Sequence, residues 1–349
     1  MKPIEHPMIR FAIGYQLAEP DEPSFVELVR EYREHIAEVY FPWIGHASGR
    51  SPIGTRAGEI DADARRRFES DLCALRGLGV KLDLLFNANC YGAHGMSRDL
   101  QREVLRVLGE LDRIAGGADV VTTTSPAIAH ILKKRTPHIE CRASVNMRIG
   151  TVEGMRYHAH LFDSYYLQRE FNRNLEHLRD LKEWADSNGK TLMMLANSGC
   201  LRHCSGQTYH DNLVAHESEV CCLENMDDFM PYACWHYLCD RANWPAILQA
   251  TWVRPEDLNH YEALFDTVKL ATRLHERPHI VMRAYAQRCH NGNFLDLCEP
   301  GYSPVLAPYV IDNTRFPADW FDRTSTCDGR CHHCGYCAGV AEQVLRKLF

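Results

Sequence analysis

Between residue 8 and about residue 284 the chain repeats one unit, a short apolar run rich in β-branched and aromatic residues followed by a longer helical segment. No other feature limits its fold as tightly. The apolar runs are 8–16, 37–43, 80–90, 118–125, 139–149, 163–169, 191–200 and 267–273. Helical patterns fall between them at 24–36, 61–79, 97–117, 126–135, 151–161 and 172–190, the third ending in Gly116-Gly117, a natural C-terminal stop. Strand-helix alternation argues a parallel sheet. Eight units favour an α/β fold of the closed (β/α)8, TIM-like kind over an open doubly wound sheet, and no Gly-rich dinucleotide loop follows the first run.

In such a barrel the residues after each strand face the active site. That places Asn87 and Asn89, Thr123 to Ser125, Asn146 and Arg148, Gln168 and Arg169, Asn197, Lys269 and Arg273 at one rim. The alternation breaks between 200 and 254, a cysteine-rich insertion, and becomes Pro-, Gly- and aromatic-rich near 292. The expected organisation is a barrel over 1–290 that includes the insertion 200–254, and a C-terminal cysteine-rich extension over 291–349.

Fifteen cysteines is a heavy load for 349 residues. Cys73, Cys90 and Cys141 are scattered among helix and strand patterns and read as ordinary thiols. The other twelve lie between Cys200 and Cys337, mostly in tight groups. The first thirty residues lack a basic-then-apolar export segment, so these groups favour metal over disulfides and the expected location is cytoplasmic. No apolar run approaches the roughly 18 residues of a membrane span. A net charge of -7 argues against general nucleic-acid binding.

The densest group is Cys327, Cys331, Cys334 and Cys337, spaced C-x3-C-x2-C-x2-C. Zinc sites usually separate two such pairs by a dozen or more residues. Close, irregular spacing with interleaved Gly and His reads instead as a 4Fe-4S site, with zinc or redox thiols as the alternatives. The first three cysteines also spell the radical-SAM triplet. That triplet follows the first strand of its barrel, whereas here it lies near the end of the sequence with a fourth cysteine to close the site.

The second group begins at Cys200 and Cys204, directly after the seventh run, at the expected catalytic rim. Two further ligands are needed for a cluster. Cys234 and Cys239 are preferred, with Cys221 and Cys222 as alternatives. Cys289 and Cys298 receive no role.

At these residues the chain resembles the collagenase-like peptidase family U-32. The match runs from about 117 to 273, through GADVV, NMRI, Gln168-Arg169-Glu170 with NRN after it, LANSGCLRHC, and WVRPEDLNHYE ahead of VKLATR. The resemblance implies a TIM-like barrel and a 4Fe-4S cluster on cysteines after the strand ending near Asn197. For several members it also implies hydroxylation of an aromatic ring or an RNA base without dioxygen, with prephenate as oxygen donor. The cysteines here are spaced more closely than in the better-known members. Peptidase chemistry is not expected from the residues, since no G-x-S-x-G elbow is present.

The first functional expectation is therefore an iron-sulfur oxidoreductase of the oxygen-independent hydroxylase type, acting on a small aromatic or anionic substrate or a nucleobase. Arg169, Glu170 and Asn197 are the catalytic candidates. Asn87, Asn146, Arg148, Lys269 and Arg273 are the substrate-binding ones, the arginines suited to carboxylates by bidentate pairing. A non-redox cluster enzyme, using Lewis-acid or sulfur-transfer chemistry, is the second expectation. The third is a non-catalytic electron-transfer or assembly subunit. An electron donor or paired subunit is a conceivable partner, and substrate identity and oligomeric state stay open.

Overall fold

A computed structural model describes residues 8–19, 22–46, 48–50, 52–56 and 59–349. Eight parallel strands close into a barrel: β1 (Arg10–Gly14), β2 (Ile36–Pro42), β3 (Lys81–Phe86), β4 (Val120–Thr123), β5 (Glu140–Ala143), β6 (Ser164–Tyr166), β7 (Thr191–Leu195) and β8 (Thr267–Leu270). β8 returns to pair with β1, Phe11 opposite Val268, so no barrel edge is left open. Every expected strand is present, and the fold is the expected TIM-like α/β barrel.

All but β2 are shorter than the apolar runs that announce them. β5 stops at Ala143 because the Ser144 hydroxyl accepts the Asn146 amide, turning the chain into a 3-10 turn, after which Arg148 takes a left-handed backbone at φ 53°. The polar residues after each strand therefore sit on loops rather than in the sheet.

The helices follow from local chemistry. Arg98–Ala115 is capped by Ser97, whose hydroxyl accepts the Leu100 amide, and ends on Gly116 at φ 72°, where a side chain would be strained. Its buried Leu100, Val104, Val107, Leu108, Leu111 and Ala115 recur at helical spacing and cover the barrel's outside. Ser125 and Pro126 open the next helix in the same way, with proline where an amide is not needed. Among the described residues no helix is long and apolar enough to cross a membrane.

Residues pointing outward from the strands form the main core with the helices. A second core joins the insertion to the C-terminal segment: Trp252 stacks on Trp320 with centroids 5.7 Å apart, Phe294 lies 4.1 Å from Trp252, and Leu238, Ile247 and Val344 fill around them. Arg173, on the loop after β6, ties this core to the barrel. Its guanidinium lies 4.2 Å over Trp252 and donates to the Trp252 and Leu248 carbonyls.

Candidate functional site

The inward positions of the strands carry an unusual set of charges. Glu38 on β2, Asp83 on β3, Arg142 on β5 and Lys269 on β8 are all buried inside the barrel. Arg142 grips both oxygens of Glu38, lies 3.5 Å from Asp83 and donates to Glu140 at 2.8 Å. Lys269 sits between two rings, 3.8 Å from the centroid of Tyr40 and 4.7 Å from that of Tyr166. Burial pushes its pKa down to about 8 against the pull of Asp83, while burial pushes the Asp83 carboxyl up to about 7. Each of these charges interrupts an apolar run at an inward register. That signal was open to sequence reasoning, which named Lys269 only as a rim residue at a strand end and did not name the other three.

Above this layer lies a cavity of about 630 Å³, walled by the loops that follow the strands. Lys269 and Tyr40 form part of its floor, and Asn87, Asn146, Arg169 and Arg273 reach it from four loops. Asn87 accepts the Gly49 amide at 3.1 Å, fixing the loop after β2 that delivers Arg50 to the same cavity. Arg50 stands 3.3 Å from Glu299, and Arg169 donates to the Ser198 hydroxyl at 3.3 Å. Arg273 donates to Ser48 at 2.9 Å through one terminal nitrogen, while the other is buried without a partner. Burial, reinforced by Arg50, lowers the Arg273 pKa to about 10. For Arg50 burial works the same way, yet Glu299 and the Cys200 sulfur outweigh it and raise the pKa.

The remaining site candidates fall outside the cavity wall. Asn197 is buried, and its carboxamide is spent on main chain: it donates to the Ala271 and Leu297 carbonyls and accepts the Ala271 amide. That makes it a clamp between β7, β8 and the C-terminal segment. Glu170 is buried beside Arg169 in a 3-10 turn and does not line the cavity. Arg148 turns to the insertion, pairing with Asp211 at 2.9 Å and Thr208 at 3.1 Å, and holds the helix Gln207–Ala215 over the barrel mouth.

Of the cysteines expected at this rim, Cys200, Cys204 and Cys234 line the cavity. Burial raises the Cys234 pKa first, and the neighbouring Cys200 and Cys204 raise it further. Cys239 is exposed and directed to the Trp235 carbonyl at 3.4 Å, and Cys221 and Cys222 both turn to the Ser218 carbonyl. Cys298 also borders the cavity, but its thiol faces the Phe294 carbonyl. Among the described residues no three His, Cys, Asp or Glu side chains stand close enough, as placed, to hold a metal ion.

Gly199 explains how the Cys200 loop is seated. A Cβ there would lie 2.0 Å from the Pro300 carbonyl oxygen, so only glycine lets the loop pair with residues 299–300. Next to the three thiols the Tyr302 hydroxyl is buried against Cys234, and burial together with Cys200 and Cys234 raises its pKa. Three soft thiols beside a buried hydroxyl donor are the chemistry an iron-sulfur cluster asks of a protein. On that test the cavity wall fits the group that the resemblance implies.

The residues that sequence reasoning missed are Arg50, Glu299 and Tyr302, together with Glu38, Asp83 and Arg142 below them. Arg50 and Glu299 lie on irregular loops without periodicity, so no local signal marks them.

No family model matches the chain. A curated relative from Methanocaldococcus jannaschii, named as the uncharacterized protease MJ1657, is 22% identical over 274 residues, covering 77% of this chain and 79% of the relative. Among solved structures the U32 peptidase Mk0906 gives a TM-score of 0.53 at 15% identity, over 76% of this chain and 93% of that one, a likeness of fold. NSGC-x3-C and VRPEDL stand in the order that the family resemblance requires, and the relative is matched over most of both chains.

Proposed function

We propose that the chain is a distant member of the peptidase U32 family and an enzyme of the iron-sulfur, oxygen-independent hydroxylase type, taking a small anionic aromatic substrate into the barrel-mouth cavity. The observation that carries the reading is the convergence of Cys200, Cys204 and Cys234 with Arg50, Arg169, Arg273 and Lys269 on one cavity. When bound, a 4Fe-4S cluster supplies a redox-active iron centre at the cavity wall. The chain's own residues bind and orient the substrate. Arg273 has an unused, desolvated donor for a carboxylate, and Arg169 offers a second cation beside it. Prephenate, the oxygen donor that the resemblance implies, carries two carboxylates and suits such a pair. Lys269 holds a proton at Nζ that burial makes easy to release, so it can serve as the acid or base of the cavity floor.

The open cavity supports an enzyme over a non-catalytic subunit, since a barrel mouth plugged by large side chains would leave no room for substrate. Three neighbouring thiols, with the fourth cavity cysteine, Cys298, turned to the Phe294 carbonyl, also suit the second reading, in which the cluster acts as a Lewis acid without net redox change. The relative is named a protease, and His275–His279 spells HExxH with His275 and Glu276 at the cavity wall, but the motif straddles a loop and the start of the helix Pro278–Gln287, and His279 turns away to Glu31 at 3.8 Å instead of joining His275 as a metal ligand.

Anaerobic purification with iron and sulfide quantitation, followed by calorimetric titration with prephenate, tests the proposal. Binding of prephenate that is lost in Arg273→Gln, in a protein whose iron depends on Cys200 and Cys204, supports it. A protein without acid-labile sulfide, or with casein hydrolysis as its measurable activity, sinks it.

A further inference from the structure

The cysteines at 327–337 lie outside the cavity, and nothing in the function proposed above uses them. Their surroundings are not those of idle surface thiols. Cys331 opens a 3-10 turn, Cys331–His333, and Cys337 occupies the first turn of the nine-residue helix Tyr336–Val344. That helix starts at Gly335 without a side-chain cap, so its first amides, and the positive end of its dipole, are left toward the cysteines. The Gly329 amide already donates to the Cys327 sulfur at 3.3 Å. Cys331, Cys327 and Cys334 each bear on Cys337, although as placed the four sulfurs are not closed into a ligand set.

Two arginines converge on this group from beneath. Arg173 is nine-tenths buried, and its second terminal nitrogen has no partner although the rest of the guanidinium is bonded to main chain and stacked on tryptophan. The charge of Cys337 is among those that act on it. Arg202 has a buried Nε without a partner, and its guanidinium approaches Gly329 so closely that a Cβ there would lie 3.1 Å from Nη1. Gly329 needs to be glycine for a second reason, its φ of 75°. Among the described residues neither guanidinium forms an ion pair with a carboxylate, although Asp257 acts on Arg173 from a distance. Four thiolates around an iron-sulfur core carry net negative charge and accept N–H donors at sulfur, which would satisfy both.

We infer that Cys327, Cys331, Cys334 and Cys337 form a second iron-sulfur site, separate from the barrel mouth, seated on Arg173 and sharing Arg202 with the first. Arg202 is the link because it lies two residues from both Cys200 and Cys204, while the glycine it touches lies two residues from both Cys327 and Cys331. The two sites stand one arginine side chain apart. Cys327 and Cys334 are exposed, so turning their thiols into a closed ligand set displaces no packed neighbour.

The test is iron and acid-labile sulfide content, with EPR of the dithionite-reduced protein, on the full chain reconstituted anaerobically with ferrous iron and sulfide. Wild type should hold about eight irons, two cubanes of four. C331S/C334S and C200S/C204S should each fall to about four and keep different EPR signals, so the failure of one site is seen apart from the failure of the other. R202Q should keep about eight irons and shift both signals. Full iron content in C331S/C334S overturns the second site, as does stoichiometric zinc without labile sulfide in C200S/C204S. Should C331S/C334S not fold, the C200S/C204S protein alone decides, since it must retain about four irons and an equal amount of sulfide. An R202Q protein with both signals unchanged overturns the shared arginine.

Discussion

Asn197 grips the main chain of Ala271 from both sides, accepting its amide at 2.6 Å and donating to its carbonyl at 2.9 Å. The same amide nitrogen reaches the Leu297 carbonyl at 2.8 Å, so one side chain sews the ends of β7 and β8 to the C-terminal segment. Replacing it with aspartate points an anion at two carbonyls in a buried site. Asn197→Asp should lower stability by about 3 kcal/mol, the range for a broken buried polar network, read by urea denaturation.

The Cys200 loop depends on Gly199, where any side chain meets the Pro300 carbonyl. Gly199→Ala should force the loop off residues 299–300 and lower the iron bound at the barrel mouth. Iron content of the anaerobically purified variant checks this, and full content at that site would show that the loop tolerates the shift.

Cys234 and Cys239 separate cleanly. Cys234 lines the cavity with Cys200 and Cys204, and Cys239 faces away to the Trp235 carbonyl. Cys234→Ser should reduce the iron and sulfide of the mouth site, whereas Cys239→Ser should leave both at the wild-type level.

Arg273 offers an unused, buried donor to the cavity. A hydrogen bond to a charged group is worth about 1.5–3 kcal/mol, so Arg273→Gln should weaken prephenate binding roughly tenfold or more in calorimetry. Arg273→Lys should recover part of the loss, because the charge remains while the planar fork is gone.

The barrel's interior charges predict a pH dependence of stability. Burial raises the Asp83 carboxyl from 3.8 to about 7, with Arg142 pulling the other way. A carboxyl raised on folding contributes its full stability below the unfolded value, and that contribution is lost as pH climbs through the folded value. Stability should therefore fall between about pH 4 and pH 7, and Asp83→Asn should flatten the fall, as measured by denaturant unfolding across that range.

The strands and most helices were legible because the signals that make them are local. The near-continuous burial along β2 and β3, the Ser97 cap and the Gly116 stop each lie within a few residues of what they control. The rim candidates were legible in the same way, as polar residues closing apolar runs, and Asn87, Asn146, Arg169, Lys269 and Arg273 do meet at one cavity. The rule places a residue at the rim but does not aim its side chain. Asn197 and Arg148 both follow the ends of barrel strands, yet one binds main chain and the other binds Asp211.

The sequence by itself determined the eight-stranded barrel, the rim that bears function and the presence of two cysteine groups, since period and spacing are properties of neighbouring residues. Only the tertiary structure decided which thiols share a wall, that Arg50 and Glu299 complete the cavity, and that Arg202 stands between the two cysteine groups. Those contacts join loops from distant parts of the chain, such as Arg50 to Glu299 and Arg202 to Gly329. Such loops are positioned by the packing of the barrel and the second core, and carry no repeating pattern of their own.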